Sequence, residues 1–335
     1  MEVPRPVAVV TGASAGVGRA TASAFAADGY DVALLARGRA GLEAAALDVE
    51  EAGGKALVIP TDVASFDEVD AAASRAEAEL GPIDVWVNNA MTTVFSAVGD
   101  VRPRELKRAT EVTYLGQVWG TMAALTRMRA RDRGRIVNVG SSLAFVGIPL
   151  QAAYCGSKFA CRGFSESLRA ELLAEGSGVT VSMVHLPAVN TPQFRWCLNR
   201  LPMRPQPVPP IYQPEVAAAA ILRAAHDGRP TMLLGSWNRV VIAAAKLVPS
   251  VLAHYVARSA IAAQQTDQPA DQNEASDLFA PLDNKRDHGA QGVFGGRAAG
   301  VLDADFLASA PQMLRDLVGA ARASAREKLW RLKAF

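Results

Sequence analysis

Short apolar runs alternate with helical stretches over roughly the first two hundred residues. Near-continuous apolar runs predict six buried strands, at 6–12, 30–37, 55–63, 83–90, 134–142 and 178–186. A shorter run at 231–235 predicts a seventh. Between the strands, apolar residues recur at helical spacing, most clearly over about 103–132 and 153–175. Apolar strands bracketed by helices are typical of a parallel sheet covered on both faces. The pattern therefore predicts an α/β fold, a doubly wound parallel sheet of about seven strands of the Rossmann type.

The pattern changes towards the C-terminus. The stretch 239–263 is strongly apolar, but charged residues and a proline interrupt it, so we expect a helix that packs on the domain or on a subunit. The segment 264–302 is polar, with scattered Pro, Gly and Asp, which indicates a flexible or extended segment. Helical spacing returns over 303–335, where the chain ends in basic residues. The sequence thus predicts a Rossmann-type domain over 1–263, a flexible segment over 264–302 and a C-terminal helix over 303–335.

Composition narrows the class of protein. The 335 residues carry a formal net charge of only +2, which does not favour a nucleic-acid-binding protein. Three cysteines without disulfide or metal-ligand spacing fit a reducing compartment, and no metal site is expected. The N-terminus lacks a long apolar region, so we expect a cytoplasmic protein. Peripheral contact of the basic C-terminal helix with an anionic membrane is an alternative that we do not favour.

A glycine-rich turn follows the first predicted strand. The stretch TGASAGVG places Gly12, Gly16 and Gly18 between a strand and a helix, with Ser14 and Val17 in the same turn. Glycines allow a tight turn and a close approach to a pyrophosphate, and a helix N-terminus favours an anion. A strand–helix turn needs no ligand, but this placement favours a dinucleotide site.

The end of the second strand indicates which dinucleotide is bound. An acidic residue there would accept hydrogen bonds from a ribose 2′-hydroxyl, but the chain has Arg37. An arginine suits a 2′-phosphate, so the sequence predicts NADP(H) in preference to NAD(H). The alternative is an arginine that only solvates a loop.

Polar residues also end the third and fourth strands. Asp62 is placed to receive the adenine amino group and the Val63 backbone to support the ring, although Asp62 could equally cap the next helix. Asn89 follows the fourth strand at the ligand-binding edge, where an asparagine pair could also form an ordinary turn.

Two long polar side chains, Tyr154 and Lys158, lie four residues apart on a predicted helix and so share one face. With this pair, four motifs occur in order: TGASAGVG, NNA, GSS and YCGSK. Together they resemble the short-chain dehydrogenase/reductase family over about residues 5–235. A free tyrosine, with a pKa near ~10, is a poor acid–base catalyst at neutral pH, and a nearby ammonium favours its ionised form.

The resemblance implies roles for further residues. Tyr154 would be the catalytic acid–base, and Lys158 would lower its pKa and hold the nicotinamide ribose. Ser141, thirteen residues before Tyr154, would hold the substrate oxygen, with Ser142 as the alternative. Thr113 stands where the family commonly has an asparagine that seats a water joining the lysine to solvent. Threonine is shorter and has one hydroxyl in place of an amide, and this hydroxyl would bind the water instead.

Downstream of the sixth strand, the resemblance implies two more cofactor contacts. The backbone of Val189 would meet the nicotinamide carboxamide. Thr191 would bond the carboxamide or the diphosphate, or would simply belong to a proline-stopped loop.

We therefore expect an NADP(H)-dependent oxidoreductase that acts on a carbonyl or alcohol substrate, hydrophobic to judge from the apolar residues of 194–215. The alternative is a catalytically weak NADP(H)-binding sensor or scaffold. The long helices over 103–132 and 153–175 resemble the family's dimer-forming pair, which predicts a homodimer or homotetramer.

Overall fold

The computed structural model describes residues 4–301. Its centre is a sheet of seven strands, all parallel, in the order β7-β6-β5-β4-β1-β2-β3. The strands are β1 (Val7–Thr11), β2 (Asp31–Ala36), β3 (Ala56–Pro60), β4 (Ile83–Asn88), β5 (Gly134–Ser141), β6 (Val179–Leu186) and β7 (Thr231–Leu233). The winding direction reverses at β1, between β2 and β4. The predicted doubly wound sheet of seven strands is confirmed.

Nine helices of eight or more residues accompany this sheet in the described part of the chain. They are α1 (Gly16–Ala27), α2 (Arg39–Glu51), α3 (Phe66–Leu80), α4 (Pro103–Thr110), α5 (Gly116–Arg129), α6 (Ala152–Glu175), α7 (Pro214–Asp227), α8 (Ser236–Leu247) and α9 (Pro249–Ala263). Local sequence sets several ends. The side chain of Ser65 accepts a hydrogen bond from the Glu68 N–H and caps α3, and Gly176 and Gly228 end α6 and α7 in the left-handed conformation.

Two apolar layers cover the faces of the sheet. On one face, Phe25 of α1 and Ile221 of α7 are fully buried against the strands. On the other, Trp86 of β4 and Met128 of α5 are fully buried with apolar residues of α3 and α6. Burial on both faces explains why the strands read as continuous apolar runs and not as alternating patterns. All five residues of β1 are buried.

Short elements complete the described fold. Glu111–Leu115 forms one π-helical turn between α4 and α5. The remaining helical pieces are Val98–Asp100, Ser142–Ala144, Gln193–Trp196 and Gly295–Arg297. The remaining strand segments are Val94–Phe95, Ala188–Val189, Leu198–Asn199, Met203–Pro205, Ile211–Tyr212, Gln265–Pro269 and Ala298–Ala299.

The apolar stretch 239–263 forms most of α8 and α9, which separate at Pro249 because a proline cannot donate a helical hydrogen bond. Among the helices between residues 4 and 301, none combines the length and apolarity needed to cross a bilayer.

The polar segment after α9 has little regular structure but makes specific contacts. Gln265–Pro269 pairs antiparallel with Met203–Pro205. Leu278 is fully buried beside Val94 and Ala153. We call residues 277–289 the strap, because they run across the carboxyl end of the sheet. The predicted helix over 303–335 lies outside the described residues.

Candidate active site

The glycine-rich turn joins β1 to α1 at the carboxyl edge of the sheet. Gly12 and Gly16 have φ angles of +66° and +58°, which favour glycine. A Cβ at Gly18 would overlap the carbonyl oxygen of Gly12 and lie 2.5 Å from Nδ2 of Asn89. The N-terminus of α1 has no side-chain cap. The turn therefore presents backbone groups to the cleft at close range.

Asn89 holds this turn in place. Its amide nitrogen Nδ2 donates to the carbonyl oxygen of Thr11 at 3.0 Å, and its backbone N–H donates to the Thr11 hydroxyl at 2.9 Å. These bonds account for the asparagine at the end of β4. Its predicted contact with a cofactor stays a prediction, although Asn89 does line the cleft.

One continuous cavity of about 410 Å³ runs along the carboxyl edge. One end is lined by the glycine turn, including Ser14 and Val17, and by Val63 after β3. The other end is lined by apolar side chains of α8 and α9. Ser141, Tyr154 and Lys158 line it between these ends.

Ser141, Tyr154 and Lys158 converge although they come from two elements. Ser141 ends β5, and its Oγ accepts a hydrogen bond from the Leu143 N–H at 3.1 Å. It also lies close enough to the Tyr154 hydroxyl to favour the ionised form of that tyrosine. One turn further along α6, Lys158 Nζ donates to the carbonyl oxygen of Val139 at 2.8 Å and lies 5.6 Å from the Tyr154 ring centre. Three polar groups thus meet beside the cavity.

Burial dominates the ionisation of this group. It raises the pKa of Tyr154, and the hydrogen bond from Ser141 only partly opposes the rise. Burial also lowers the pKa of Lys158. The sequence predicts a lowered tyrosine pKa, whereas in the protein chain alone burial is the largest influence and raises the pKa. The phenol is therefore protonated at neutral pH and available as a proton donor.

Thr113 lies in the π-helical turn and is 1% exposed. Its hydroxyl accepts from the Thr92 N–H at 3.0 Å and donates to the Thr92 carbonyl oxygen at 2.8 Å. Its own carbonyl oxygen accepts from the Cys161 thiol at 3.3 Å. These contacts fix the chain after β4, so they support a structural role for the hydroxyl. The predicted catalytic role stays a prediction.

The residues expected at the adenine end lie along the cavity. Asp62 accepts from Arg108 Nη2 at 2.6 Å and from the Ala64 N–H at 3.0 Å, so it both forms an ion pair and caps a turn. Val63 is 5% exposed and packs against Gly116.

Two polar atoms facing this region are completely buried and have no hydrogen-bond partner within residues 4–301. One is Nη1 of Arg37, whose other nitrogen, Nη2, donates to the carbonyl oxygen of Asp277. Burial lowers the pKa of this guanidinium, which nevertheless stays charged. The other is Oγ1 of Thr191, beside Gly16 of the glycine turn. Val189 lines the cavity nearby. A ligand with phosphate or hydroxyl groups would satisfy both orphaned atoms.

A protein-family model described as short chain dehydrogenase matches residues 6–197. The chain belongs to this family. The match includes the glycine turn, the GSS and YCGSK motifs and the first residues after β6.

Similar proteins carry oxidoreductase names. The uncharacterized oxidoreductase YxnA of Bacillus subtilis is 32% identical over 275 residues, covering 82% of this chain and 77% of that protein. The 3-dehydrosphinganine reductase of Danio rerio is 33% identical over 235 residues, covering 68% and 70%. A metagenomic short-chain oxidoreductase solved in complex with NADP is 28% identical with a TM-score of 0.58, covering 68% of this chain and 96% of that one.

The sequence motifs of this dehydrogenase do not include His185. It lies in β6, is 1% exposed, and its Nδ1 donates to the Ser141 carbonyl oxygen at 3.1 Å. Burial lowers the pKa of His185 to about 4, so the ring is neutral. In the sequence, a single histidine within an apolar strand, next to the predicted cleft, could have pointed to this residue. His185 positions the backbone of the proposed substrate-binding serine.

The sequence predicts that five apolar residues wall the substrate end of the cavity or pack as core, namely Phe194, Trp196, Leu198, Leu201 and Met203. The structure divides the first four of them between these two roles. Phe194 and Trp196 line the cavity, as the apolar run after β6 suggests. Leu201 instead packs in a small core with Phe95, and Leu198 packs beside Val94. Further apolar wall residues come from α8 and α9: Trp237, Val241, Leu252, Tyr255, Val256 and Ala260.

The strap places an unusual carboxyl group beside Arg37. Burial raises the pKa of Asp277 from 3.8 to about 7, although Arg37 and a hydrogen bond from Thr92 oppose the rise. The folded protein therefore binds this proton more tightly than the unfolded chain does. The resulting stability is present at low pH and is lost as the pH rises from about 4 to about 7.

Replacing Asp277 with asparagine should flatten this pH dependence. The amide oxygen keeps the bond from Thr92 but carries no charge to bury. We expect the variant's melting temperature to exceed that of the wild type by a few degrees at pH 8 and to match it at pH 4. Thermal unfolding followed by circular dichroism at both pH values tests this, with the exposed Asp267→Asn as the control. Parallel pH profiles for wild type and Asp277→Asn would contradict it.

Proposed function

We propose that this dehydrogenase is an NADP(H)-dependent oxidoreductase that interconverts a hydrophobic carbonyl compound and its alcohol. The observation that carries the proposal is the meeting of Ser141, Tyr154 and Lys158 in the cavity that the glycine turn opens into. The family membership and the NADP complex of the similar structure support it.

The residues present fit a nicotinamide dinucleotide. The close-packed glycine turn and the start of α1, which has no side-chain cap, suit a diphosphate, with Ser14 and Val17 alongside. The orphaned Thr191 hydroxyl suits the diphosphate or the carboxamide, near the backbone of Val189. Asp62 and Val63 suit the adenine end.

The preference for NADP(H) rests on Arg37. Its Nη1 is buried without a partner in the described chain, although its neighbour Nη2 is bonded. A buried guanidinium nitrogen left unsatisfied costs stability, and a 2′-phosphate would satisfy it.

The proposed chemistry assigns one task to each polar group. A bound nicotinamide would supply or accept the hydride at the substrate carbon. Ser141 has its Oγ oriented by the Leu143 N–H, so its own proton can point at the substrate oxygen. In reduction, Tyr154 donates its proton to that oxygen. The positive charge of Lys158 then stabilises the phenolate that Tyr154 becomes.

The substrate end favours an apolar molecule of some length. Its wall consists mainly of apolar and aromatic side chains, including Trp196, Trp237 and Leu252. Water would be excluded from such a cavity, and a polar substrate would lose hydration without gaining partners. The relative named 3-dehydrosphinganine reductase is consistent with reduction of a carbonyl.

A homodimer or homotetramer is part of the proposal. Met122 of α5 and Phe159 of α6 are each 43% exposed, and Leu173 of α6 is 79% exposed. Large apolar side chains exposed on two neighbouring helices favour a self-association surface. The three cysteines are buried and unpaired, which agrees with the proposed cytoplasmic location.

A cofactor titration followed by a substrate screen tests the function. NADPH fluorescence should change saturably on binding, and long apolar ketones should accelerate NADPH oxidation more than short polar ones. Saturable NADPH binding without turnover on a broad carbonyl panel would favour the sensor or scaffold alternative. Absence of NADPH and NADH binding would refute the proposed site.

A further inference from the structure

The strap lies against the half of the cleft that the proposed function assigns to adenosine. The Gly289 carbonyl oxygen accepts from the Gly16 N–H of the glycine turn at 3.2 Å. Asp287 forms an ion pair with Arg19 of α1. The strap is thus fastened to the glycine turn and to the helix that follows it.

The strap also covers the start of α2. This helix begins after Gly38 without a side-chain cap of its own. The carbonyl oxygen of Asp283 accepts from the Gly41 N–H at 3.0 Å, and Oδ1 of Asn284 accepts from the Arg39 N–H at 3.3 Å. First-turn N–H groups that could bind a 2′-phosphate are therefore already occupied by the strap.

The side chain of Asp283 fills a niche that two glycines leave open. A Cβ at Gly38 would overlap its carboxylate, and a Cβ at Gly41 would lie 2.7 Å from Oδ2. Asp283 is only 6% exposed, yet it lines the cavity together with Arg37. No side-chain hydrogen bond to its carboxylate occurs among the contacts between residues 4 and 301. A buried carboxylate aimed at a ligand cavity needs a donor.

The Asp283 carboxylate accepts no side-chain hydrogen bond within residues 4–301, and this indicates that it accepts one from a ligand. In dinucleotide-binding folds, an acid near the end of β2 accepts a hydrogen bond from the ribose 2′-hydroxyl, and here that position is Arg37. Asp283 brings a carboxylate to the same edge from a distant part of the chain. The same carboxylate would repel a 2′-phosphate. It would also attract the Arg37 guanidinium and so weaken the attraction between Arg37 and that phosphate.

We propose that Asp283 sets the cofactor selectivity of this enzyme, by accepting a ribose hydroxyl of NAD(H) and opposing the 2′-phosphate of NADP(H). The proposal rests on the proposed function, because it requires the nicotinamide dinucleotide to occupy this cleft. Arg37 favours the phosphate and Asp283 restrains that preference, so the wild-type protein binds NAD(H) as well as NADP(H), with only a modest preference for NADP(H).

Dissociation constants of NADPH and NADH, measured by fluorescence titration, test the proposal without relying on activity. The Asp283→Asn variant keeps the shape of the side chain and the backbone bond to Gly41. It should raise the ratio of the NADH constant to the NADPH constant by about tenfold, as expected for loss of a charge-assisted hydrogen bond and of a repulsion. The matched control is Asp287→Asn, which loosens the strap at Arg19 and should leave the ratio unchanged.

The outcomes distinguish a failure of the role proposed for Asp283 from a failure of the proposed function. An unchanged or lower ratio in folded Asp283→Asn would overturn the role of Asp283 and leave the proposed function intact. An equal change in Asp287→Asn would also overturn it, because strap attachment would then explain the effect. Wild-type protein that binds neither cofactor would refute both proposals.

A competition experiment on the wild type covers the case in which Asp283→Asn fails to fold. Adenosine 2′,5′-bisphosphate and AMP are each used to displace NADH. The bisphosphate should bind no more than about tenfold more tightly, since Asp283 offsets Arg37. A preference of a hundredfold or more would overturn the proposal.

Discussion

Replacing Tyr154 with phenylalanine should lower kcat by about 10²- to 10⁴-fold while the dissociation constant of NADPH changes little. The ring still fills its place on α6, but the proton that the substrate oxygen needs is gone. The Ser141 side chain interacts with this hydroxyl, so the substitution also removes a neighbour of that serine. Steady-state kinetics with the best ketone from the substrate screen, together with NADPH titration, measures both quantities.

A second tyrosine provides the control for this experiment. Tyr30 packs edge-on against Phe25, with ring centres 5.0 Å apart, on the face of the sheet covered by α1 and α7. Tyr30→Phe should therefore keep wild-type kcat. If Tyr154→Phe keeps more than a tenth of the wild-type kcat, the acid–base assignment is wrong.

Replacing Gly18 with alanine should weaken NADPH binding at least about tenfold, equivalent to about 1.4 kcal/mol. The new Cβ overlaps the Gly12 carbonyl oxygen and crowds the Asn89 amide, so the glycine turn must open. A shifted turn moves the backbone away from the diphosphate that it is proposed to approach. The measurement is NADPH titration, accompanied by thermal unfolding to confirm that the variant is folded.

Gly163 of α6 is the matched control for this substitution. A Cβ there meets no atom within 4 Å, so Gly163→Ala should leave NADPH affinity unchanged. It should stabilise the helix by roughly 0.5–1 kcal/mol, because alanine loses less backbone entropy than glycine. Equal NADPH affinity of Gly18→Ala and Gly163→Ala would remove the glycine turn from the proposed cofactor site.

The two experiments probe different halves of one cavity. Tyr154 lies where the cavity passes from its cofactor end to its apolar end, and Gly18 supports the cofactor end. In a protein that binds NADPH without catalysis, Gly18→Ala would weaken NADPH binding, and Tyr154→Phe would change no measured quantity. The pair therefore also separates the enzyme from the sensor or scaffold.

The sequence by itself determined the sheet and the positions of its main motifs. Strands buried on both faces must be apolar throughout, so β1 to β7 were visible as runs. The glycine turn and the spacing of Tyr154 and Lys158 depend on local geometry, since a turn and an i,i+4 pair are set by neighbouring residues. The family follows from these local patterns in order, and the match over 6–197 confirms it.

Only the tertiary structure decided what the distant residues do. The segment after residue 263 has a polar composition, and nothing in its spacing showed that Asp277 and Asp283 return to Arg37 from about 240 positions away. Nor did the sequence show that the Thr113 hydroxyl bonds Thr92. Such contacts depend on how the whole chain closes over the sheet, because hydrogen bonds between remote segments leave no periodic pattern in either one.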